Sequence, residues 1–384
     1  MGYGSDLGGR RTPWIVGGMA ALAAGGMGAA GGTALMATHL AAGIVVALAA
    51  FALVGVGVGS AGTALLTLLA KRVDTRRRRA AAATIVWLMM IAGIAVTATV
   101  VGKLLDPFSP GRLVAVTSAA ALIAFAVAAL AVWGMEGAAG APEPAAPQAG
   151  GFLAALAEIW AEPQARRFAV FVFVSMLAYS AQELILEPFA GAVFALTPGQ
   201  STGLTGLHHA GVLGGMALVA VCGALAGGFR LRAMRASTVG GCVGSALAIL
   251  LLAASGPLGL GWPLREGVLL LGVANGAFAV SAIGSMMGLA SNGRAAREGT
   301  RMGLWGAAQA LAFGAGGLAG TAASDLARHV FGSPAAAYAA VFGMEAALFL
   351  AAAWLAVGVF QTRDDTRDDR PARRPAAVRA VQIG

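Results

Sequence analysis

The chain has 384 residues, 58% hydrophobic and 11% charged, with a mean hydropathy of +0.80. That composition lies outside the range of water-soluble globular domains. A formal net charge of +9 raises nucleic acid as a partner, but a basic nucleic-acid binder gathers Lys and Arg into a stripe on a polar fold. Here they stand between apolar runs, so nucleic acid is excluded and the lipid bilayer becomes the first partner. The two cysteines, Cys222 and Cys242, both sit in apolar runs, which excludes a disulfide framework. Residues 1–12 are polar and lead straight into a long apolar run, unlike a cleaved secretory signal.

A hydrocarbon core of about 30 Å needs about 20 apolar residues per helix. The first two segments of that length cover residues 14–36 and 40–70, followed by 80–101 and 112–134. Residues 137–151, rich in Ala, Pro and Gly, then read as a linker, and Phe152 to Trp160 have the spacing of a short interfacial helix. Six more segments follow, at 167–195, 204–227, 235–255, 266–290, 301–323 and 334–360. The fold class expected is therefore all-α: a polytopic membrane helix bundle of ten spans, four plus six. Its parts are an N-terminal half-bundle at 1–134, a linker with an interfacial helix at 135–166, a six-helix bundle at 167–360 and a disordered tail at 361–384.

Lys and Arg favour cytoplasmic loops. With ten spans, only Lys103, Arg112, Arg265 and Arg328 of the 26 basic residues fall on one side, which predicts cytoplasmic termini. Leu69-Ala70, a basic loop and Trp87 are echoed by Leu289-Ala290, a basic loop and Trp305. This parallel duplication puts the start of the first half before Met1, with room for two further helices, and predicts a parent of six plus six. Without those helices, small Gly and Ala faces of the first four spans should be uncovered.

The string Gly2-Tyr3-Gly4-Ser5-Asp6-Leu7-Gly8-Gly9-Arg10-Arg11 fits G-x-x-x-D-x-x-G-R-R. It resembles the cytoplasmic loop between the second and third helices of the major facilitator superfamily, which is where the duplication places it. Its glycines allow a tight turn, and Asp6 can pair with arginines or a helix N-terminus. A narrower resemblance lies in Gln182-Glu183-Leu184-Ile185-Leu186-Glu187-Pro188-Phe189-Ala190-Gly191, then Thr197-Pro198-Gly199-Gln200-Ser201-Thr202 and Gly206-Leu207-His208-His209-Ala210-Gly211-Val212. These stretches are similar to the PucC family of light-harvesting assembly proteins. The resemblance implies a major-facilitator-like bundle in the inner, photosynthetic membrane of a bacterium. It further implies bacteriochlorophyll as a bound or carried group and antenna polypeptides as partners. Some members have carried a synthase label, but no Asp-rich diphosphate-binding motif for prenyl transfer occurs here.

A charged group inside a span costs about 2.5 to 3.5 kcal/mol on insertion scales, so Glu183 and Glu187 are candidate site residues. Four residues apart, they share a helix face with Gln182 beside them and Pro188 just after. Proton coupling, hydrogen bonding to a ligand's polar rim and a structural pairing are all open. His208 and His209 open the sixth predicted span after a turn with Pro198 and Gly199, and at most one can face the Glu187 side. With the resemblance in view, His208 is a candidate axial ligand for the magnesium of a chlorophyll; an interfacial histidine bonded to backbone or water is the alternative. Asn275 and Gln309 complete the ligand-binding candidates, although interhelical hydrogen bonds explain them equally well. Trp14, Trp87, Trp305 and Trp354 read as interface anchors. No phosphate-binding loop, nucleophilic triad or zinc spacing is present, so a non-enzymatic role is expected.

Two functions follow. One is a light-harvesting complex assembly factor that binds or delivers bacteriochlorophyll, supported by the resemblance. The other is a proton-coupled transporter of a small solute, supported by the architecture and the carboxylates in the fifth span.

Overall fold

The computed structural model describes residues 11–72, 76–135, 160–225, 231–258, 263–291 and 298–368. Among them are ten helices: α1 (Thr12–Met36), α2 (Leu40–Arg72), α3 (Arg76–Leu104), α4 (Pro110–Val132), α5 (Pro163–Phe194), α6 (Pro198–Leu225), α7 (Leu231–Leu258), α8 (Leu264–Ser291), α9 (Glu298–Val330) and α10 (Pro334–Asp368). Proline stands in the first turn of α1, α4, α5, α6 and α10. There its fixed φ suits the helix and its missing N–H has no ladder partner to lose. Nine of the ten are long and apolar enough to cross a membrane. The other, α9, has 33 residues but carries Arg301, Gln309, Ser324, Asp325 and Arg328. The all-α bundle of four plus six helices is the architecture the sequence predicts.

The two halves pack differently. In the first, α1 lies against α2 and α4. Gly18, Gly25 and Gly32, seven residues apart, meet the backbone of Gly57, Ala50 and Gly43, so the two helices approach closely. Gly17, Gly26, Gly31, Gly55, Gly62 and Gly93 face open space instead, leaving small-residue faces uncovered. In α4 only Val132 is buried, whereas α5 buries 14 of its 32 residues. In the second half, α5 packs on α9 and α10, α6 on α8, α7 on α8 and α10, around a core holding Phe168, Phe171, Phe189, Phe278, Phe342 and Phe349. The halves meet where α3 crosses α6: Gly206 sits on the Ala95 and Thr99 turn, and Ile91 packs on Val212 and Met216.

Three expectations need correction. The sixth helix begins at Pro198, not near 204. Thr197 accepts a hydrogen bond from Gln200 N at 3.2 Å, while its own N–H donates to Gln200 Oε1 at 3.0 Å. This reciprocal capping box turns the expected Pro-Gly turn into a helix start and sets His208 and His209 three turns inside α6. Trp305 is no interface anchor: it is 1% exposed, lies edge-on to Phe168 at 4.8 Å and donates to Ala165 O. Its indole is better satisfied by that carbonyl than by an interface. Finally, α10 runs to Asp368, past Gln361 where a disordered tail was expected, because an established helix propagates into polar residues at small cost per residue. The loop motif from Gly2 to Arg10, the linker and most of the interfacial segment lie outside the described residues. Arg11, the motif's last residue, is buried at the start of α1.

Candidate functional site

The polar residues of α6 and α8 are brought together because the two helices cross closely. Gly211 and Gly215 on α6 form one small-xxx-small pair, and Gly272 and Gly276 on α8 form another. Each glycine rests on the other helix: Gly211 on the Leu269 carbonyl, Gly215 on that of Val273, Gly272 on that of His208 and Gly276 on that of Val212. Close crossings of this kind suit Cα–H···O contacts. The crossing delivers His208 and Asn275 to the same depth, and both are buried.

There they meet Gln182 from α5. Asn275 Nδ2 donates to Gln182 Oε1 at 3.0 Å and to His208 Nε2 at 3.1 Å. Gln182 Nε2 donates to the same ring nitrogen at 3.3 Å. Ser245 Oγ, from α7, donates to Asn275 Oδ1 at 2.7 Å. Four helices are thus joined by one buried network, in a medium that offers no water as a substitute.

A second pair of contacts runs along the neighbouring α5 face. Glu183 Oε1 lies 3.4 Å from His209 Nε2, and His209 Nδ1 donates to Thr205 O at 3.0 Å. One turn on, Thr205 Oγ1 donates to Glu187 Oε1 at 2.5 Å. Glu183 keeps about a third of its side chain accessible, whereas His209 is 2% exposed. Tyr179, one turn before Glu183, stacks obliquely toward His208 and Phe313. Together the structure gathers Gln182, Glu183, Glu187, His208, His209 and Asn275. It does not bring in Gln309, which is half-buried on α9 and has no hydrogen bond into the cluster among the described residues.

Sequence reasoning missed Ser245, Thr205 and Tyr179, whose residue types are common in spans and gave no signal. It also missed Glu345, where a signal existed: a carboxylic acid inside an apolar run. Glu345 is fully buried in α10, and neither carboxyl oxygen has a hydrogen-bond partner among the described residues. A buried polar group without partners costs about 1–3 kcal/mol. Glu345→Leu should therefore stabilise the bundle by about that amount, read as a rise in the thermal midpoint in detergent; a lower midpoint would mean that Glu345 is held by a partner.

The matched family model is that of the PUCC protein, over residues 1–364. The chain belongs to the PucC family. A relative from Rhodobacter capsulatus named "Bacteriochlorophyll synthase 44.5 kDa chain" is 48% identical over 95% of this chain and 84% of its own. "Protein PucC" of the same organism is 30% identical, covering 82% of this chain and 68% of the relative. Among solved structures, a mutant peptide transporter POT in complex with alafosfalin matches with a TM-score of 0.63 at 16% identity, over 95% of this chain and 84% of that one. The nucleoside transporter NupG matches with a TM-score of 0.55 at 15% identity, over 94% and 90%. These two likenesses establish a major-facilitator-type fold for this PucC-family chain and nothing finer.

The PucC cluster can now be tested against a magnesium tetrapyrrole. An axial imidazole must offer a free nitrogen to the metal, with room over its face for the macrocycle. His208 offers neither: its ring is 1% exposed and its Nε2 already accepts from two amides. Both ring nitrogens of His209 are also engaged, with Glu183 and Thr205. The cluster as folded does not fit a resident pigment. Among the described residues there is also no group of three or more His, Cys, Asp and Glu placed to hold a metal ion.

Proposed function

We propose that this chain is a non-enzymatic assembly factor of a bacterial photosynthetic membrane, which handles bacteriochlorophyll as lipid-borne cargo for antenna polypeptides. The observation that carries this reading is membership of the PucC family, including 48% identity to a relative named for bacteriochlorophyll. The interior of the second half supports it. A transporter of a polar solute needs several polar groups converging on an open cavity, whereas here Gln182, His208, Asn275 and Ser245 are spent on one another. In this reading they lock α5, α6, α7 and α8, and cargo travels on lipid-facing surfaces. The distribution of Lys and Arg supports a reading with both termini in the cytoplasm.

The test is purification from a bacteriochlorophyll-producing host, followed by an absorption spectrum. Pigment in constant ratio to the wild-type protein is expected, and it should persist in Glu187→Gln, which replaces the carboxyl of half-buried Glu187 by an amide of the same bulk. His208→Ala should lose stability before it loses colour, as followed by gel filtration. One observation favours the second reading, proton-coupled transport: the Glu183 carboxylate faces His209 and is partly open. A colourless, monodisperse protein that accumulates a solute in proteoliposomes under a pH gradient would overturn assembly in favour of transport.

A further inference from the structure

Away from the cluster, α5, α9 and α10 enclose a second polar site. A cavity of about 200 Å³ is lined by Leu184, Ile185 and Pro188 of α5, by Thr321, Ser324, Asp325 and Arg328 of α9, and by Tyr338 of α10. Arg328 lies over the Tyr338 ring, 5.1 Å from its centroid, and donates to the Tyr338 hydroxyl oxygen. That hydroxyl keeps its own proton for another acceptor. Ser324 is 7% exposed and its Oγ has no hydrogen-bond partner among the described residues, although a helical serine can normally reach the carbonyl one turn back. Pro188 has no N–H to give to the Leu184 carbonyl, so that carbonyl lacks its usual partner in the helical ladder. These are the features of a built site: an orphaned buried hydroxyl and a guanidinium held in place by an aromatic ring.

The chemistry selects the ligand. Arg328, Ser324 and Tyr338 are donors and suit a phosphodiester. Asp325 stands three residues before Arg328 on the same helix face, where Cβ atoms are about 5–6 Å apart. The site is therefore dipolar, with a cation and an anion one headgroup apart, and a purely anionic ligand would meet the Asp325 carboxylate. Arg328 lies two residues before the end of α9, at the level of the α9–α10 connection, where a span meets the headgroup region. Leu184, half exposed, continues the cavity onto the lipid-facing side of α5. The volume falls below the about 300 Å³ at which pockets take drug-sized ligands, so a tetrapyrrole is excluded and a headgroup is not.

We propose that this cavity binds the headgroup of a zwitterionic phospholipid, with its phosphodiester on Arg328, Ser324 and Tyr338 and its ammonium on Asp325. The lipid wedges α9 against α5, the helix pair that flanks the cluster. The test reconstitutes the full chain in nanodiscs of equal phosphatidylethanolamine and phosphatidylglycerol, then reads retained lipid by native mass spectrometry after detergent washing. Wild type should keep one phosphatidylethanolamine. Arg328→Gln should weaken retention of both lipids by about tenfold, the factor of one charge-assisted hydrogen bond. Asp325→Asn changes an exposed residue and should fold normally; it should erase the preference for phosphatidylethanolamine while keeping a lipid bound. Soluble phosphoethanolamine at equal concentration should fail to displace the lipid. Equal retention of the two lipids by wild type, an unchanged preference in Asp325→Asn, or displacement by phosphoethanolamine would each overturn the proposal, the last making the site one for a small polar solute.

Discussion

A valine at Gly272 will unfold the second half of this protein more readily than any of the polar substitutions above. A methyl group built on Gly272 lands on the His208 carbonyl, with the Gly211 Cα at 3.0 Å. Both neighbours are backbone, so no rotamer change can make room. Overpacking a closed interior costs about 1–3 kcal/mol where side chains can yield. With two backbones in the way, Gly272→Ala should cost about 3 kcal/mol and Gly272→Val more. In lipid the loss goes further than packing, because parting α6 from α8 also parts His208 from Asn275 and leaves polar groups facing hydrocarbon. Gly343 on α10 is the internal control, since nothing lies within 4 Å of a methyl group placed there. Gly343→Ala should stabilise by about 0.5–1 kcal/mol through helix propensity alone. Thermal unfolding in detergent reads both. If Gly272→Val melts with the control, the α6–α8 crossing is not what holds the half together.

The same crossing explains what could and could not be read from the chain. Spans were legible because bilayer thickness imposes a length on every one of them, whatever its neighbours. The four-residue interval from Glu183 to Glu187 was legible too, as helical geometry fixes it. Their partners were not. His209, Thr205 and Asn275 lie 18 to 93 residues from the α5 groups they meet, and for Asn275 it is the register of Gly211 and Gly215 on Gly272 and Gly276 that sets it beside His208. Glycine-rich composition announced close packing somewhere, but with 57 glycines in the chain it could not say where. The position of His208 failed for a local reason: Thr197 and Gln200 cap a helix where Pro198 and Gly199 suggested a turn, and the error displaced both histidines from the membrane surface to the interior. A magnesium ligand is plausible at a helix mouth and implausible three turns in, between two amides. The resemblance to the PucC family rested on whole stretches of residues and was insensitive to such shifts of register.

Asn275→Ala tests whether the network is a lock or an ornament. A single interhelical hydrogen bond in a membrane protein is worth about 0.6 kcal/mol on average, so a residue that merely contributes one bond should barely be missed. Asn275 serves three partners at once, and its loss strands two of them differently. Ser245 can turn its hydroxyl to the carbonyl one turn back on α7. Gln182 Oε1 has no such recourse, since Gln182 is fully buried and its Nε2 is already committed to His208. Stranding one buried acceptor and opening a small cavity should cost about 2–4 kcal/mol in unfolding free energy. Gln309→Ala, outside the cluster on α9, should change it by no more than about 0.5 kcal/mol. The double variant Gln182→Ala/Asn275→Ala then separates the two accounts. Removing Gln182 as well takes away the stranded acceptor, so a lock predicts a double variant less destabilised than the sum of the singles by at least about 0.5 kcal/mol. Simple additivity would mean that each residue acts alone, and that His208 is held by packing between α5, α6 and α8 instead of by its amides.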